Sequence, residues 1–166
     1  MFIYDHRHCP RMSGIRIVGL RGGFSFEEAD RHFASLGADA ALLDPSVVCG
    51  EDHLRSAFMH AEKAFSEGRN RSKRLVTELI LYAACERQIK RAIDLMKPRP
   101  SSPGMVAAII DYDGDLRLEE LGATEDSSLV EPSLEKARNL GVEPFPGMDP
   151  VDAVLEEIAF VDLMKQ

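Results

Sequence analysis

Six consecutive apolar residues, Met105 to Ile110 (MVAAII), place the tightest constraint on this chain. The run is far too short to span a membrane. The stretch before it, PRPSSPG from Pro98 to Gly104, admits no regular structure and reads as a surface loop. A short segment apolar on both faces reads as a central strand covered by helices on each side. A chain of 166 residues with 45% apolar and 29% charged side chains has the material to supply that cover within one domain.

Flanking patterns say which segments provide the cover. Gly14 to Leu20 (GIRIVGL) is rich in β-branched residues and reads as a strand ended by Arg21-Gly22-Gly23. Ser25 with Glu28 forms a capping box for a helix whose apolar side is Phe26, Ala29, Phe33 and Leu36, and Gly37 stops it. Ala38 to Leu43 reads as a second short strand, which Val47-Val48-Cys49 extends or follows before Gly50. Glu51 and Asp52 suit a first helical turn, and Leu54, Ala57, Phe58, Ala61 and Phe65 trace one helix face ending at Gly68. Beyond the central strand, Leu116 to Leu121 reads as a short helix and Leu129-Val130 as the centre of an edge strand. Ser133 to Leu140 reads as a helix stopped by Gly141, and Asp149-Pro150 opens a last helix to the chain end. Strands alternate with helices and no hairpin signal is present. The expected fold is α/β: a single domain over residues 14–166, a mixed β-sheet packed with helices, and a consecutive helical layer in the middle of the chain. Residues 1–13 read as a short strand or an N-terminal arm.

Charge is unevenly distributed. Twenty Lys and Arg stand against 28 Asp and Glu, yet Gly68 to Arg99 holds nine cations and three acids. A basic patch on an acidic body concentrates anions at one place. Val76, Leu79, Ile80 and Ala83 fall at helical spacing, as do Ile89, Ala92, Ile93 and Met96, so two amphipathic helices are expected with a break near Ala84-Cys85-Glu86. Ser72 as N-cap places Lys73 and Arg74 in an opening turn, where the helix dipole disfavours cations and favours an anion. Arg87, Lys90 and Arg91 fall opposite the second apolar stripe. The bland alternative is a solvated charged face.

The same stretch resembles a known family. His53-Leu54, Ala57, Gly68, Ser72-Lys73, Leu75, Glu78, Leu81-Tyr82, Arg87-Gln88-Ile89 and Ala92-Ile93, with Leu155-Glu156-Glu157-Ile158-Ala159, Val161 and Leu163, are similar to the small kinase-binding accessory subunit of the KEOPS complex (the PRPK-binding protein family). The family's small Ser-Gly-like pair before Arg-Gln-Ile is replaced here by Ala84-Cys85-Glu86, and Asp111 to Met148 matches loosely. The resemblance implies a non-enzymatic cytoplasmic adapter in a complex that makes threonylcarbamoyladenosine in tRNA. Its implied partners are the kinase-like ATPase subunit, which it helps activate, and the single-stranded tRNA 3′ tail. The tail would be held by Arg71, Lys73, Arg74, Arg87, Lys90 and Arg91, with Tyr82 stacking on a base if exposed; a buried Tyr82 would leave recognition to charge and shape. On the last helix Val151, Val154, Leu155 and Ile158 form the core stripe, while Phe160, Leu163 and Met164 lie round from it. Those three are either buried all round or form a kinase-binding patch.

Other constellations in the chain carry residue types capable of chemistry. Ile109 to Leu116 (IIDYDGDL) resembles the first motif of Mg-dependent DxD phosphatases, with Asp111 as nucleophile and Asp113 as general acid. Against it, Asp115 stands where that family has Thr, and too little chain follows. The glycine is also misplaced for an EF-hand, so a polar turn is expected. His6, His8 and Cys9 lack a fourth ligand for structural zinc, and no metal site or cofactor is expected. His53 and His60, two turns apart, read as ordinary partly exposed histidines. Cys49 and Cys85 read as inert, and three scattered cysteines suit a reducing compartment. The alternatives to the adapter reading are a protein-interaction module that docks an acidic partner without RNA and, less favoured, the phosphatase.

Overall fold

The structure, a computed structural model, describes residues 14–164; the arm expected over 1–13, with His6, His8 and Cys9, lies outside them. Four strands form one sheet: β1 (Ile15–Gly22), β2 (Asp39–Leu43), β3 (Met105–Ile110) and β4 (Ala123–Glu125), in the order β2-β3-β1-β4. All six residues of β3 are buried. Because successive side chains point to opposite faces, Val106, Ala108 and Ile110 enter one core while Met105, Ala107 and Ile109 enter another. Both neighbours divide the same way: Ala41 and Leu43 lie on the first face and Leu42 on the second, as do Ile17 and Val18 of β1.

The expected α/β domain is present, but every strand pairing in it is antiparallel rather than mixed. β1 and β2 run in the same direction, joined by α1 (Phe26–Ser35), and do not pair with each other. β3 arrives much later in sequence and lies between them, with Ile110 opposite both Ile15 and Asp39. The capping box of α1 forms in both directions, and the helix buries Ala29 and Phe33 on the second core. The first core is covered by α2 (Glu51–Ser66), α3 (Leu75–Ala83), α4 (Ile89–Met96), α6 (Leu134–Asn139) and α7 (Pro150–Met164). The first three of these are the expected consecutive layer. No helix among the described residues is long and apolar enough to cross a membrane.

Two local expectations are corrected. Pro45–Val47 is a 3-10 turn instead of a strand extension, because Asp44 accepts the Ser46 N–H at 2.9 Å and curls the chain. Leu129 and Val130 likewise sit in a 3-10 turn (Ser127–Val130), and the edge strand is β4, a few residues earlier. Asp126 causes the shift: it accepts from Ser128 and pairs with Arg21 at 2.7 Å, ending the strand. Gly19 permits this approach, since a Cβ there would lie 2.1 Å from the Asp126 carbonyl oxygen. The short helix expected over 116–121 is α5 (Leu118–Leu121).

Candidate nucleic-acid and partner interface

The basic segment folds as two helices with a tight corner, as its spacing indicates, but the first helix starts later than Ser72 predicts. Arg74 is the N-cap of α3, so Lys73 and Arg74 precede the helix. Ser72 is buried, and its hydroxyl forms a local turn with the backbone of Arg74. The anion near this helix start is internal. Glu78, buried on α3, folds back so that its carboxylate accepts the backbone N–H groups of Arg71 (3.1 Å) and Ser72 (2.9 Å). The expected phosphate cradle at the helix start is therefore filled by the protein's own carboxylate. Arg74 turns away to pair with exposed Asp39 at 2.5 Å, and Lys73 is exposed beside it.

At the other end of α3 the chain turns through Ala84 and Cys85, and Cys85 takes φ 54°. That left-handed conformation favours glycine, and here a cysteine tolerates it at the corner. His53, from the first turn of α2, secures the corner. It is fully buried, not partly exposed as the sequence suggested, and both ring nitrogens are used. Nδ1 accepts the Cys49 N–H at 3.0 Å, which leaves Nε2–H to donate to the Ala83 carbonyl at 2.8 Å. One imidazole thus satisfies a backbone donor ahead of α2 and an orphan carbonyl at the end of α3. Burial, chiefly, pulls its pKa down to about 4.

Past this corner the candidate cations separate into groups. Arg71, Arg87 and Arg91 line one groove of about 460 Å³, whose far wall is Glu157, Phe160, Val161 and Met164 of α7. The Arg71 guanidinium reaches the Arg87 carbonyl at 3.4 Å, linking the loop to the corner. Arg71, Arg87 and Arg91 have no ion-pair partner among the described residues. Lys90 is exposed next to Arg91 but does not line the groove, and Lys73 and Arg74 lie outside it.

Tyr82 is corrected outright: it is core and cannot stack on a base. Its ring is fully buried against His60, at a centroid distance of 5.5 Å, and its hydroxyl donates to Asp162 Oδ1 at 2.8 Å. The apolar faces of α3 are so extensive that helical spacing alone does not show which side turns inward. Burial, then the bond to the Asp162 carboxylate, pushes the Tyr82 phenol up. Asp162 also receives Arg69 at 3.3 Å, and His60 Nδ1 lies 3.4 Å away at an angle unsuited to a hydrogen bond. Burial works against its charge, but Tyr82 and Arg69 outweigh that and hold its carboxyl below the usual range. A single acid within the apolar run Phe160 to Met164 was the available signal for this network, and the sequence reading missed it.

The network fixes how α7 is rotated. Val161 and Asp162 point inward, while Phe160, Leu163 and Met164 are 56%, 65% and 47% exposed. Of the two readings of those residues, burial all round is excluded and a surface ridge stands. The ridge has two sides. Phe160 and Met164 share the arginine groove, whereas Leu163 lines a second hollow of about 550 Å³ with Phe160 and the 75%-exposed Phe145. Nothing in the sequence separated Phe145 from the other loop residues around it.

The remaining chemical candidates are occupied structurally. Asp111 adopts φ 52° and closes the end of the β1–β3 ladder, its Oδ1 accepting the Gly14 N–H and its own N–H donating to the Gly14 carbonyl, each at 2.9 Å. Asp115 Oδ1 accepts the Arg117 N–H at 2.9 Å, and Tyr112 donates to the Asp115 carbonyl at 2.9 Å. This is the polar turn expected as the bland reading. Asn keeps both the left-handed tolerance and an acceptor oxygen, so Asp111→Asn should change stability by less than about 0.5 kcal/mol, whereas Asp111→Ala should cost about 1–2 kcal/mol. Thermal melts of the two variants check this, and equal losses in both would count against the ladder role. Among the described residues no group of three or more His, Cys, Asp and Glu is placed to hold a metal ion. Cys49 is buried, which raises its thiol pKa, and burial followed by Glu157 and Glu86 pushes Cys85 up to about 12. Neither is poised as a nucleophile.

No curated protein matches the chain in sequence. A family model described as "Kinase binding protein CGI-121" matches residues 27–139, from the start of α1 through α6 and including the whole basic segment. That span is more than half of the chain, and by it this protein belongs to the CGI-121 family of kinase-binding proteins.

Proposed function

We propose that the protein is the kinase-binding adapter of a KEOPS-like complex that makes threonylcarbamoyladenosine in tRNA, and that it acts in the cytoplasm without chemistry of its own. Family membership supports a kinase partner. The α7 ridge of Phe160, Leu163 and Met164 is the docking face for that kinase-like ATPase subunit. The arginine groove receives the single-stranded 3′ tail of tRNA. The observation that carries the RNA part is the groove itself: three arginines without ion-pair partners among the described residues, gathered on a protein of net charge −8, beside an exposed Phe160. Cations hold phosphates and an exposed aromatic face stacks a base, so Phe160 takes the part that buried Tyr82 cannot. The two surfaces adjoin at Phe160 and Met164; they are not separate faces of the molecule.

The test compares intact tRNA with tRNA lacking its 3′ tail. Arg87→Glu with Arg91→Glu should weaken binding of intact tRNA, and each lost phosphate contact should flatten the plot of log K against log salt by about 0.7. Removing the tail from the wild-type ligand should cost a similar amount, and the two losses should not add. Equal affinity for intact and tail-less tRNA sinks the tail assignment. Lys73→Glu with Arg74→Glu should do much less, because those residues lie outside the groove.

A further inference from the structure

The sheet has an edge that the chain leaves half covered. β4 pairs with β1 only over Leu20, Arg21 and Gly22. The Asp126 N–H adds one bond to the Gly19 carbonyl, and the chain then curls away into the turn Ser127–Val130. Backbone groups of alternate residues in a strand point to the same edge. Because Gly19 faces β4, Ile15 and Ile17 also direct their N–H and C=O groups to that side, past the point where β4 ends. Neither backbone has a partner there among the described residues. The uncovered length, Ile15 to Val18, is about 13 Å.

A groove of about 350 Å³ opens beside this edge. Ile17, Val130 and Pro132 contribute apolar surface to it, and its charged residues are all acids: Glu51, Glu125 and Glu131. Glu51 shares its charge with Arg55 at 3.3 Å, but Glu125 and Glu131 have no ion-pair partner among the described residues. Lys136, close by, is spent on the Leu129 and Glu131 carbonyls at 2.9 and 2.6 Å. A row of unpaired backbone groups is a template for another strand, and the acids set the charge that strand must carry. A second copy of this chain would bring the same acids to the edge and be repelled.

We propose that the open half of β1 docks an extended, lysine- or arginine-bearing segment of a partner protein, which continues the line of β4 and pairs with Ile15 and Ile17 through its backbone. Main-chain hydrogen bonds give the affinity, and Glu125 and Glu131 select a cationic segment. This edge shares no lining residue with the arginine groove, so the proposal stands apart from the RNA reading.

NMR titration of the full-length chain tests it with short peptides: one alternating lysine and valine, its glutamate counterpart, and the lysine peptide N-methylated at adjacent central residues. At saturation the lysine peptide should slow hydrogen exchange of the Ile15 and Ile17 amides by about tenfold or more. The glutamate peptide should bind about tenfold more weakly or not at all. N-methylation keeps the charge but blocks both edges of the peptide, and should abolish the protection. Glu125→Gln with Glu131→Gln, both exposed, should weaken the lysine peptide by about fivefold and leave the melt unchanged. Should that variant fail to fold, the N-methylated peptide still decides. Equal binding of the N-methylated peptide would show charge attraction without strand pairing and overturns the proposal. Equal binding of the glutamate peptide, or no binding of the lysine peptide, overturns it too. So does slow exchange at both amides in the peptide-free chain, which would show the edge already covered.

Discussion

Replacing His53 with Ala should destabilise the protein by about 3–5 kcal/mol, a large part of the stability of a typical domain. The variant leaves a cavity in a site with no exposure, and it orphans the Cys49 N–H and the Ala83 carbonyl. His53→Gln, which retains a donor and an acceptor, should recover part of the loss. The residue also gives the protein an acid sensitivity of defined sign. The neutral ring is the native form, and its pKa lies near 4 against 6.5 for the unfolded chain. Burial is the main cause, Lys136 adds to it, and the bond to Ala83 opposes it. The stabilisation is complete above about pH 6.5, falls as pH drops because the unfolded chain takes up the proton, and levels off below about pH 4. By linkage it amounts to roughly 3 kcal/mol. Denaturant melts from pH 7.5 to 4 check this: the wild-type profile should fall more steeply than that of His53→Gln by that amount. Superimposable profiles would show that His53 titrates normally and that its lock on the α3–α4 corner is weak.

Leu163→Glu should abolish capture of the kinase-like partner, costing about 2 kcal/mol or more and hence at least roughly thirtyfold in affinity. It should leave the thermal melt unchanged, because the side chain is 65% exposed and Asp162, not Leu163, anchors the end of the helix. The choice of residue matters. Phe160 and Met164 also line the arginine groove, so changes there are expected to weaken tRNA as well as the kinase. Leu163 lines only the hollow that holds Phe145, and Leu163→Glu should spare tRNA binding. Unaltered kinase capture by a cooperatively folding Leu163→Glu protein would move the docking face away from α7. A collapse of the melt would show that this turn is core in solution.

The two expected results bear on one object, the orientation of α7 against the basic corner. His53 holds the corner from the α2 side through Ala83, and Asp162 holds α7 through Tyr82 and Arg69. Arg69 and Arg71 lie two residues apart in the same loop, the first turned in to Asp162 and the second out to the groove. The groove is thus a product of buried polar contacts on either side of it. A variant in either network should disturb binding without touching a ligand.

Local chemistry was enough to specify much of this molecule. Ser25 and Glu28 cap α1 with atoms three residues apart, and Gly37, Gly68 and Gly141 stop helices by taking positive φ at 73°, 67° and 82°. The doubly apolar MVAAII announced a strand with cover on both faces, and its alternation is what divides the two cores. Phe160, Leu163 and Met164 could be placed off the core stripe of α7 from helical spacing alone, and they are exposed. What tertiary structure decided are the choices that local rules leave degenerate. Antiparallel pairing depends on β3 entering between strands laid down more than sixty residues earlier, which no local pattern encodes. Tyr82 and Glu78 occupy a helix apolar around most of its circumference, where an acid reads as surface and a tyrosine as either face. The nearby backbone of Arg71 and Ser72, and Asp162 from much later in the chain, provide hydrogen bonds that let both be buried. The groove is of the same kind: the charges of Arg71, Arg87 and Arg91 are legible in sequence, but Phe160 and Glu157 meet them only because packing brings α7 across the corner.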